Sequence, residues 1–208
     1  MSYSQNNEDL IIKKYFESQG ITKGVVLDIG ANDGLTFSNS RLFIENNWEA
    51  YLIEPSSIYE KLVELNADNE NVFFYNFGIG KEDGIVKFYE SGAVLPNQKD
   101  SNLVSSAVPT DRWKRETTFI EKEVSFLTFK TFIENFFDTT PIFDFISIDA
   151  EGFDFDILTQ IDLDLHQTKC VCVEFNGNSF FDAEMTKYCN NFGLYEEERN
   201  EENIIFVR

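Results

Sequence analysis

Short apolar runs alternate along this chain with longer segments in which apolar residues recur at helical spacing. The apolar runs predict strands over residues 24–29, 50–53, 71–77, 143–148 and 169–173. The segments with helical spacing predict helices over residues 8–18, 38–47, 56–66, 128–137, 153–160 and 181–191. Strands that are apolar throughout and separated by helices are typical of a parallel sheet covered on both faces.

The last part of the chain adds an antiparallel element. Residues 194–197 and 204–207 are two short strand-like runs, with the charged residues 199–203 at the predicted tip. The expected fold class is therefore α/β: a mostly parallel, doubly wound sheet that ends in a C-terminal antiparallel hairpin. We expect residues 1–208 to form a single domain, with residues 1–20 as an N-terminal helical segment.

Local signals mark two helix starts and one extended run. Ser57 and Glu60 have the spacing of a capping box at the start of the third helix. Thr128 is placed to cap the fourth helix. Residues 81–90 predict a turn that leads into an extended run.

The least regular stretch is residues 91–122, which contains a basic-aromatic group formed by Arg112, Trp113, Lys114 and Arg115. Long loops in compact domains are usually functional, so we expect this variable loop to contribute to the site of the acceptor. The basic-aromatic group can hold an anionic acceptor or form a solvated turn, and the sequence leaves both interpretations open.

The charge balance narrows the class of partner. Lys plus Arg is 17 and Asp plus Glu is 37, which gives a formal net charge of −20. Proteins that wrap nucleic acid or lie on an anionic membrane need a basic face, so both partners are disfavoured. No run reaches the roughly 18 apolar residues of a membrane span. The start of the chain is polar and acidic, unlike a secretory leader, so we expect a cytoplasmic protein whose oligomeric state stays open.

Cysteine and histidine contribute little to the predicted chemistry. Cys170, Cys172 and Cys189 form no disulfide framework and are expected to be small buried hydrophobes, the first two on one face of a strand. His166 is the only histidine, which excludes sites that need two imidazoles. It lies between a helix and the start of a strand, so we expect it at the far end of the sheet and disfavour it as a catalytic base.

Acidic residues stand at the ends of four predicted strands. These residues are Asp28, Glu54, Asp149 and Glu174. Ligands of open α/β sheets bind outside the carboxyl ends of the strands, so the four carboxylates are expected at one site.

The first turn, DIGANDG, resembles a nucleoside-binding loop but lacks the G-x-G-x-x-G fingerprint of dinucleotide sites. Asp28 would repel a pyrophosphate and attract an ammonium group. Glu54 follows the second strand, where an acid typically binds ribose hydroxyls. A cofactor with a ribose and a cationic amino-acid tail, S-adenosylmethionine, fits both carboxylates. The alternative, in which Asp28 and Glu54 only cap turns, stays open.

Several motifs together resemble the FkbM family of S-adenosylmethionine-dependent methyltransferases. The matching stretches are SQNNEDL (4–10), LDIGANDG (27–34), SNS (38–40), WEAYLIEP (48–55), NVFFYNFGIG (71–80), FDFISIDAEGFDFDIL (143–158) and VCVEFN (171–176). One departure is that many members carry lysine two residues before the aspartate of D-x-EG, where this chain has Ser147.

The resemblance implies a Rossmann-like methyltransferase fold and methyl transfer to oxygen, most often to a hydroxyl of a sugar or natural product. It implies that a small-molecule or saccharide acceptor is bound. The residues that it places at the cofactor are Gln5, Asp28, Gly30, Ala31, Asn32, Gly34, Ser38, Glu54, Pro55, Gly78 and Asp149. Asp9 is implied to fold over the same end of the cofactor as Gln5.

A sugar hydroxyl is a weak acid, so its methylation benefits from a general base. The candidate catalytic residues are Asp149, Glu151 and Glu174. In the structural alternative, Asp149 bonds backbone N–H groups and Glu151 caps the following helix. Asp149, Glu174 and Asn176 could also form an all-oxygen magnesium site, which the sequence leaves uncertain.

Two other function classes stay open at this stage. A nicotinamide-dependent oxidoreductase would use the same general fold, although the missing G-x-G-x-x-G and the acid at Asp28 speak against it. A non-catalytic nucleoside-binding module is the second alternative. A module of this kind would be expected to have lost residues of the site, whereas Asp28, Glu54 and Asp149 are all present in this chain.

Overall fold

The computed structural model describes residues 1–92, 102–109, 113–175 and 179–208, and it contains ten strands and seven helices in this part of the chain. The strands are β1 (Val25–Ile29), β2 (Glu49–Ile53), β3 (Val72–Tyr75), β4 (Gly78–Ile79), β5 (Gly84–Ser91), β6 (Phe119–Leu127), β7 (Phe145–Ile148), β8 (Cys170–Glu174), β9 (Tyr195–Arg199) and β10 (Asn203–Val207). The helices are α1 (Glu8–Ser18), α2 (Arg41–Glu45), α3 (Tyr59–Asn66), α4 (Trp113–Glu116), α5 (Phe129–Phe136), α6 (Asp154–Leu158) and α7 (Ser179–Asn191).

The main sheet has seven strands in the order β3-β2-β1-β7-β8-β10-β9. Strands β3, β2, β1, β7 and β8 are mutually parallel, and β10 runs antiparallel to both β8 and β9. The predicted α/β class and C-terminal hairpin are confirmed. The strand order reverses between β1 and β7, which is where open sheets of this kind bind their ligands.

Helices cover both faces of this sheet. On one face α1, α2 and α3 bury Phe16, Phe43 and Leu62 against the strands. On the other face α5, α6 and α7 bury residues such as Phe132 and Met185. Successive strand residues supply the two layers alternately, because side chains of a strand point to opposite faces. This explains why the core strands are apolar throughout.

Side chains of β8 follow the same alternation. Cys170 and Cys172 are fully buried in one layer, as predicted, and Val171 is buried in the other. His166 lies beyond the N-terminal end of β7, stacked on Phe143, and its Nδ1 is 2.9 Å from the carbonyl oxygen of Pro141. Burial lowers the pKa of His166. Its place at the far end of the sheet is therefore also as predicted.

A second sheet of three strands, in the order β4-β6-β5, lies beside the main one and was not predicted as a unit. The extended run before Ser91 is β5, but the interpretation of residues 91–122 as irregular was wrong at its end, where β6 begins. Strand β6 carries charged residues on much of its surface, and antiparallel pairing with β5 is what stabilises it. That pairing spans about 30 residues of sequence and leaves no local signal.

The predicted capping box of the third helix is wrong. Helix α3 begins at Tyr59, and Ile58 in the N-cap position makes no side-chain hydrogen bond. Ser57 instead bonds across the molecule: its backbone N–H and its Oγ donate to the Glu90 carboxylate at 2.7 and 2.9 Å. The Thr128 cap is confirmed, since its Oγ1 accepts the backbone N–H of Thr131 at 3.2 Å.

None of the helices in the described residues is long and apolar enough to cross a membrane.

Candidate active site

A cavity of about 260 Å³ opens at the carboxyl ends of β1 and β7, where the strand order reverses. Its wall includes every predicted cofactor and catalytic residue except Gly34. Those residues are Gln5, Asp28, Gly30, Ala31, Asn32, Ser38, Glu54, Pro55, Gly78, Asp149, Glu151 and Glu174. The fold thus brings together side chains from six separate segments of the sequence.

Gly30 fixes the turn that follows β1. Its φ is +89°, and a Cβ atom built on it would lie 1.7 Å from the backbone oxygen of Asp149. The backbone N–H groups of Gly30 and Ala31 both donate to the carbonyl oxygen of Ile53, at 2.9 and 3.0 Å. Only glycine allows the turn after β1 to pack this closely on the end of β7.

Asp33 holds the rest of the first turn and is a residue that the sequence analysis missed. Its buried carboxylate accepts the backbone N–H groups of Leu35 and Thr36 at 2.9 and 2.7 Å and pairs with Lys61 Nζ at 2.6 Å. Burial raises its pKa, but these bonds outweigh burial and the net shift is downward. Gly34 turns away from the cavity and packs on Leu62, which explains its absence from the wall.

Asp28 is buried at the end of β1 and faces the cavity. Ser40 Oγ donates to its carboxylate at 2.5 Å, and Ser147 is its partner across the sheet on β7. Burial raises the pKa of Asp28 to about 6, while the hydrogen bonds from Ser40 and Ser147 act in the opposite direction. Ser147, the position of the family departure, therefore supplies a neutral donor beside this acid.

Glu54 is buried at the end of β2 and organises the loop around it. Its Oε2 accepts the backbone N–H of Asn32 at 2.9 Å, and its Oε1 accepts that of Ser56 at 2.7 Å. Asn32 has a φ of +49°, which this hydrogen bond stabilises. The Ser56 side chain also hydrogen-bonds this carboxylate, and because a carboxylate has about four acceptor sites, Glu54 can still accept a hydroxyl from a ligand. The carboxylate both fixes the turn and faces the cavity.

Three carboxylates meet at the ends of β7 and β8. Oxygens of Asp149, Asp154 and Glu174 lie within 4.8 Å of one another. Burial raises the pKa of Asp149 to about 8, with further contributions from the charges of Asp154 and Asp28. Burial, followed by the charge of Asp149, raises the pKa of Glu174 well above its usual value. We call Asp149, Asp154 and Glu174 the acid cluster.

Asp154 bonds the backbone N–H groups of the turn before α6, a role that the structural alternative gave to Asp149. Its two carboxylate oxygens accept the backbone N–H groups of Ala150 and Gly152, at 2.7 and 3.0 Å. Glu151 lies between these two residues with a φ of +47°, and its side chain lines the cavity. Asp154 therefore shapes the turn into α6.

The described part of the variable loop, residues 102–109, closes one side of the cavity. Ser106 Oγ donates to the backbone oxygen of Glu151 at 2.7 Å, and Ser106 also pairs with Tyr89 of β5. The loop thus bridges the second sheet and the turn between β7 and α6. Its predicted part in acceptor binding stays a prediction.

Strands β4, β5 and β6 add Ile79, Phe88 and Phe126 to the same wall. These apolar contributions were missed because the second sheet itself was not predicted.

The N-terminal segment covers another side of the cavity. Gln5 lines the wall, and the buried Glu8 next to it binds Asn200 and Asn203 of the terminal hairpin at 2.7 and 2.9 Å. Asp9 does not reach the cavity, and its carboxylate accepts the backbone N–H of Tyr3 at 2.8 Å. Asn203 and its neighbour Glu202 also line the wall, which the sequence analysis did not anticipate.

Some predicted residues lie elsewhere. Asn176, the third candidate magnesium ligand, lies outside the described residues, as does Arg112 of the basic-aromatic group. Lys114 and Arg115 are exposed and do not line the cavity. The role of this group in holding an anionic acceptor stays a prediction.

The electrostatic character of the cavity is uniformly acidic. Six carboxylates line it, and its wall contains no lysine, arginine or histidine within the described ranges. The carboxylates belong to Asp28, Glu54, Asp149, Glu151, Glu174 and Glu202. Such a site favours cationic ligands and polyhydroxy compounds over phosphates.

The raised pKa values predict a pH-dependent stability for the ligand-free protein in the presence of a chelator. Folding raises the pKa of the buried Glu174 well above its usual value and that of the more accessible Asp149 to about 8, so the folded chain binds these protons more tightly than the unfolded one. The free energy of unfolding should therefore fall as the pH rises from about 4 to about 8. Thermal unfolding measured at several pH values in this window should show a decreasing Tm.

A substitution separates this effect from the repulsion of a chain with net charge −20. Glu174→Gln removes one member of the acid cluster and should make the fall in Tm shallower. Each kcal/mol of unfolding free energy that the substitution recovers should raise Tm by about 2–4 °C. Glu134→Gln removes an exposed charge that is 63% accessible and should leave the slope unchanged. Equal slopes in the two variants would contradict the assignment.

Comparison with known protein families identifies the family to which this chain belongs. The model of the family described as "Methyltransferase FkbM domain" matches residues 28–196. No curated protein sequence matches the chain.

Among solved structures, the METTL16 MTase domain is similar with a TM-score of 0.53 and 12% identity, over 97% of this chain and 66% of that one. Aeropyrum pernix fibrillarin with bound S-adenosyl-L-methionine has a TM-score of 0.46 and 12% identity, over 88% and 65%. Precorrin-6y C5,15-methyltransferase from Geobacter metallireducens has a TM-score of 0.47 and 12% identity, over 97% and 86%. At these identities the likeness to METTL16 concerns the fold alone.

Proposed function

This chain belongs to the family of FkbM methyltransferase domains, and we propose that it transfers a methyl group from S-adenosylmethionine to a hydroxyl of a sugar, polysaccharide or glycosylated small molecule. The observation that carries the proposal is the placement of Asp28 and Glu54. Asp28 lies near the carboxyl end of β1, Glu54 directly follows the neighbouring parallel strand β2, and both line one cavity. The proposal covers the acceptor class as well as the reaction.

The residues of the cavity suit this cofactor. Asp28 is a buried carboxylate that can pair with the ammonium group of the amino-acid tail. Glu54 keeps free lone pairs for the two ribose hydroxyls. Gly30 lines the same wall and adds no side chain to it. The absence of cationic side chains on the described wall suits a ligand that carries a sulfonium.

The chemistry needs a positioned acceptor and a proton acceptor. When bound, the cofactor supplies the methyl group: the hydroxyl oxygen forms the new C–O bond, the C–S bond breaks, and its electron pair stays on sulfur. Asp149 and Glu151 are the two carboxylates on the wall that follow β7 and can take the hydroxyl proton. The raised pKa of Asp149, about 8, is close to the value that suits a base at neutral pH.

Calorimetric titration with S-adenosylhomocysteine tests the cofactor site. Glu54→Gln should weaken binding about 10–100-fold, because it replaces hydrogen bonds to a charged group. Glu60→Gln, which removes an exposed carboxylate on α3, is the matched control and should bind as the wild type does. Both proteins are checked by thermal unfolding, and NADH is titrated in parallel.

Two outcomes would overturn the cofactor assignment. One is a wild-type protein that binds NADH but not S-adenosylhomocysteine. The other is equal affinity in the wild type and Glu54→Gln. Once binding is shown, the acceptor class is tested by methyl transfer from labelled cofactor to free sugars, polysaccharides and glycosides.

A further inference from the structure

One oxygen of the acid cluster lacks a partner. Glu174 is 7% exposed, and its Oε2 is buried without a hydrogen-bond partner. The rest of the buried acids described above have donors: Asp28 from Ser40, and Glu54 from two backbone amides. A buried carboxylate oxygen without a donor is costly, which points to a ligand that the protein chain alone does not supply.

The acids around Glu174 favour a positively charged ligand. Oxygens of Asp149, Asp154 and Glu174 lie within 4.8 Å of one another, and no cationic side chain lines the described cavity wall beside them. A single neutral donor would satisfy one oxygen and would give the other two acids no partner. A cation at their centre satisfies all three groups at once.

We propose that the acid cluster binds a divalent cation of the Mg²⁺ or Mn²⁺ class, and that this cation holds the hydroxyl oxygens of the acceptor. The ligands are all carboxylate oxygens, which hard divalent cations prefer, and the cluster offers no sulfur or imidazole for zinc. The separation of the oxygens, up to 4.8 Å, is close to the span across a single oxygen-coordinated cation.

Asp154 is prearranged for this role. Its two oxygens are fixed by the backbone N–H groups of Ala150 and Gly152, at 2.7 and 3.0 Å, and each keeps a second lone pair. Such hydrogen bonds to a ligand oxygen orient it and hold it in place. Asp149 is the most accessible member of the cluster and faces the cavity, so the acceptor approaches from its side.

The role of the cation rests on the proposed transfer to oxygen, whereas the site itself does not. A hydroxyl oxygen bound to a divalent cation loses its proton more readily. With Asp149 engaged as a ligand, the proton passes to Glu151, which lines the cavity but is outside the cluster. A sugar that presents two adjacent hydroxyls can bind the cation through both oxygens, which makes vicinal diols the expected acceptor class.

Electron paramagnetic resonance with Mn²⁺ tests the site on the full chain, without nucleotide. We expect about one tight Mn²⁺ per chain, competed by Mg²⁺, and a loss of affinity of at least about tenfold in Glu174→Gln. Glu202→Gln, which removes another carboxylate from the wall of the same cavity, is the control and should retain the affinity. Thermal unfolding verifies that both variants are folded.

Three results would overturn the proposal: no tight Mn²⁺ in the wild type, equal loss in both variants, or displacement of Mn²⁺ by millimolar methylamine. Equal loss would indicate diffuse attraction to an acidic cavity, and displacement by methylamine would indicate a site for an ammonium group. S-adenosylhomocysteine binding is measured separately in chelator. Its failure would overturn the proposed function while leaving the Mn²⁺ result interpretable.

Discussion

Replacing Asp149 by asparagine is expected to lower kcat of methyl transfer about 10²–10⁴-fold. The carboxylate follows β7 directly and lines the cavity within reach of Asp154 and Glu174. As a base, Asp149 accepts the hydroxyl proton; as a cation ligand, it positions and acidifies the hydroxyl. Asparagine has negligible basicity, and its neutral carboxamide oxygen is a weaker ligand for a divalent cation than a carboxylate. The loss is therefore expected with or without the divalent cation.

The measurement is a steady-state assay with labelled S-adenosylmethionine and an acceptor found by screening. S-adenosylhomocysteine affinity should fall by less than about tenfold, since Asp28 and Glu54 still hold the cofactor. Glu202→Gln is the matched control, because Glu202 lines the cavity from the hairpin side and bonds only Asn6 by its side chain in the described structure. We expect its kcat within about threefold of the wild type. If Asp149→Asn retained more than half of the wild-type kcat, the carboxylate would have no role in the transfer.

The acids of the site could be predicted from the sequence because each one stands at the end of an apolar run or directly after it. A buried strand can be recognised from five or six apolar residues, and the residue after it must lie at the edge of the sheet. This is why Asp28, Glu54, Asp149 and Glu174 were all expected at one place before the strand order was known. Because ligands of such sheets bind at the carboxyl ends of the strands, the site can be located without knowing the strand order.

Other parts of the site depend on contacts that no local pattern encodes. Glu90 lies on β5 and binds Ser57 at the start of α3, 33 residues earlier, so the serine could not act as the cap that its spacing suggested. Phe126 reaches the cavity because β6 pairs with β5 across the variable loop. Both errors have one cause: the partner across the sheet competes with the local partner, and only the folded chain decides between them.

Asp154 is an intermediate case. Its position in the first turn of α6 was consistent with an ordinary acidic helix start. The contacts that distinguish it, to the amides of Ala150 and Gly152, depend on the left-handed conformation of Glu151 and Gly152. Here the acid two residues after Gly152 folds back on its own loop.

Gly30→Ala is expected to destabilise the protein by at least about 3 kcal/mol and to abolish measurable S-adenosylhomocysteine binding. The new Cβ would lie 1.7 Å from the backbone oxygen of Asp149, at a φ of +89°. The position of Cβ is fixed by the backbone and its neighbour is a backbone oxygen, so no side-chain rotation relieves the contact. The turn after β1 must move away from β7, which separates Asp28 and Glu54 from the acid cluster. Differential scanning calorimetry should show a Tm lower by at least about 6–12 °C.

Gly20→Ala is the control that isolates the close contact from backbone strain. Gly20 has a comparable φ of +71°, but a Cβ built there meets nothing within 4 Å. Its substitution should therefore cost only the strain of the left-handed conformation, about 1 kcal/mol or about 2–4 °C in Tm, and leave cofactor binding intact. Equal effects at the two glycines would mean that the turn and β7 are not packed as described. A large difference would show that the site depends on the approach of two strand ends that only glycine permits.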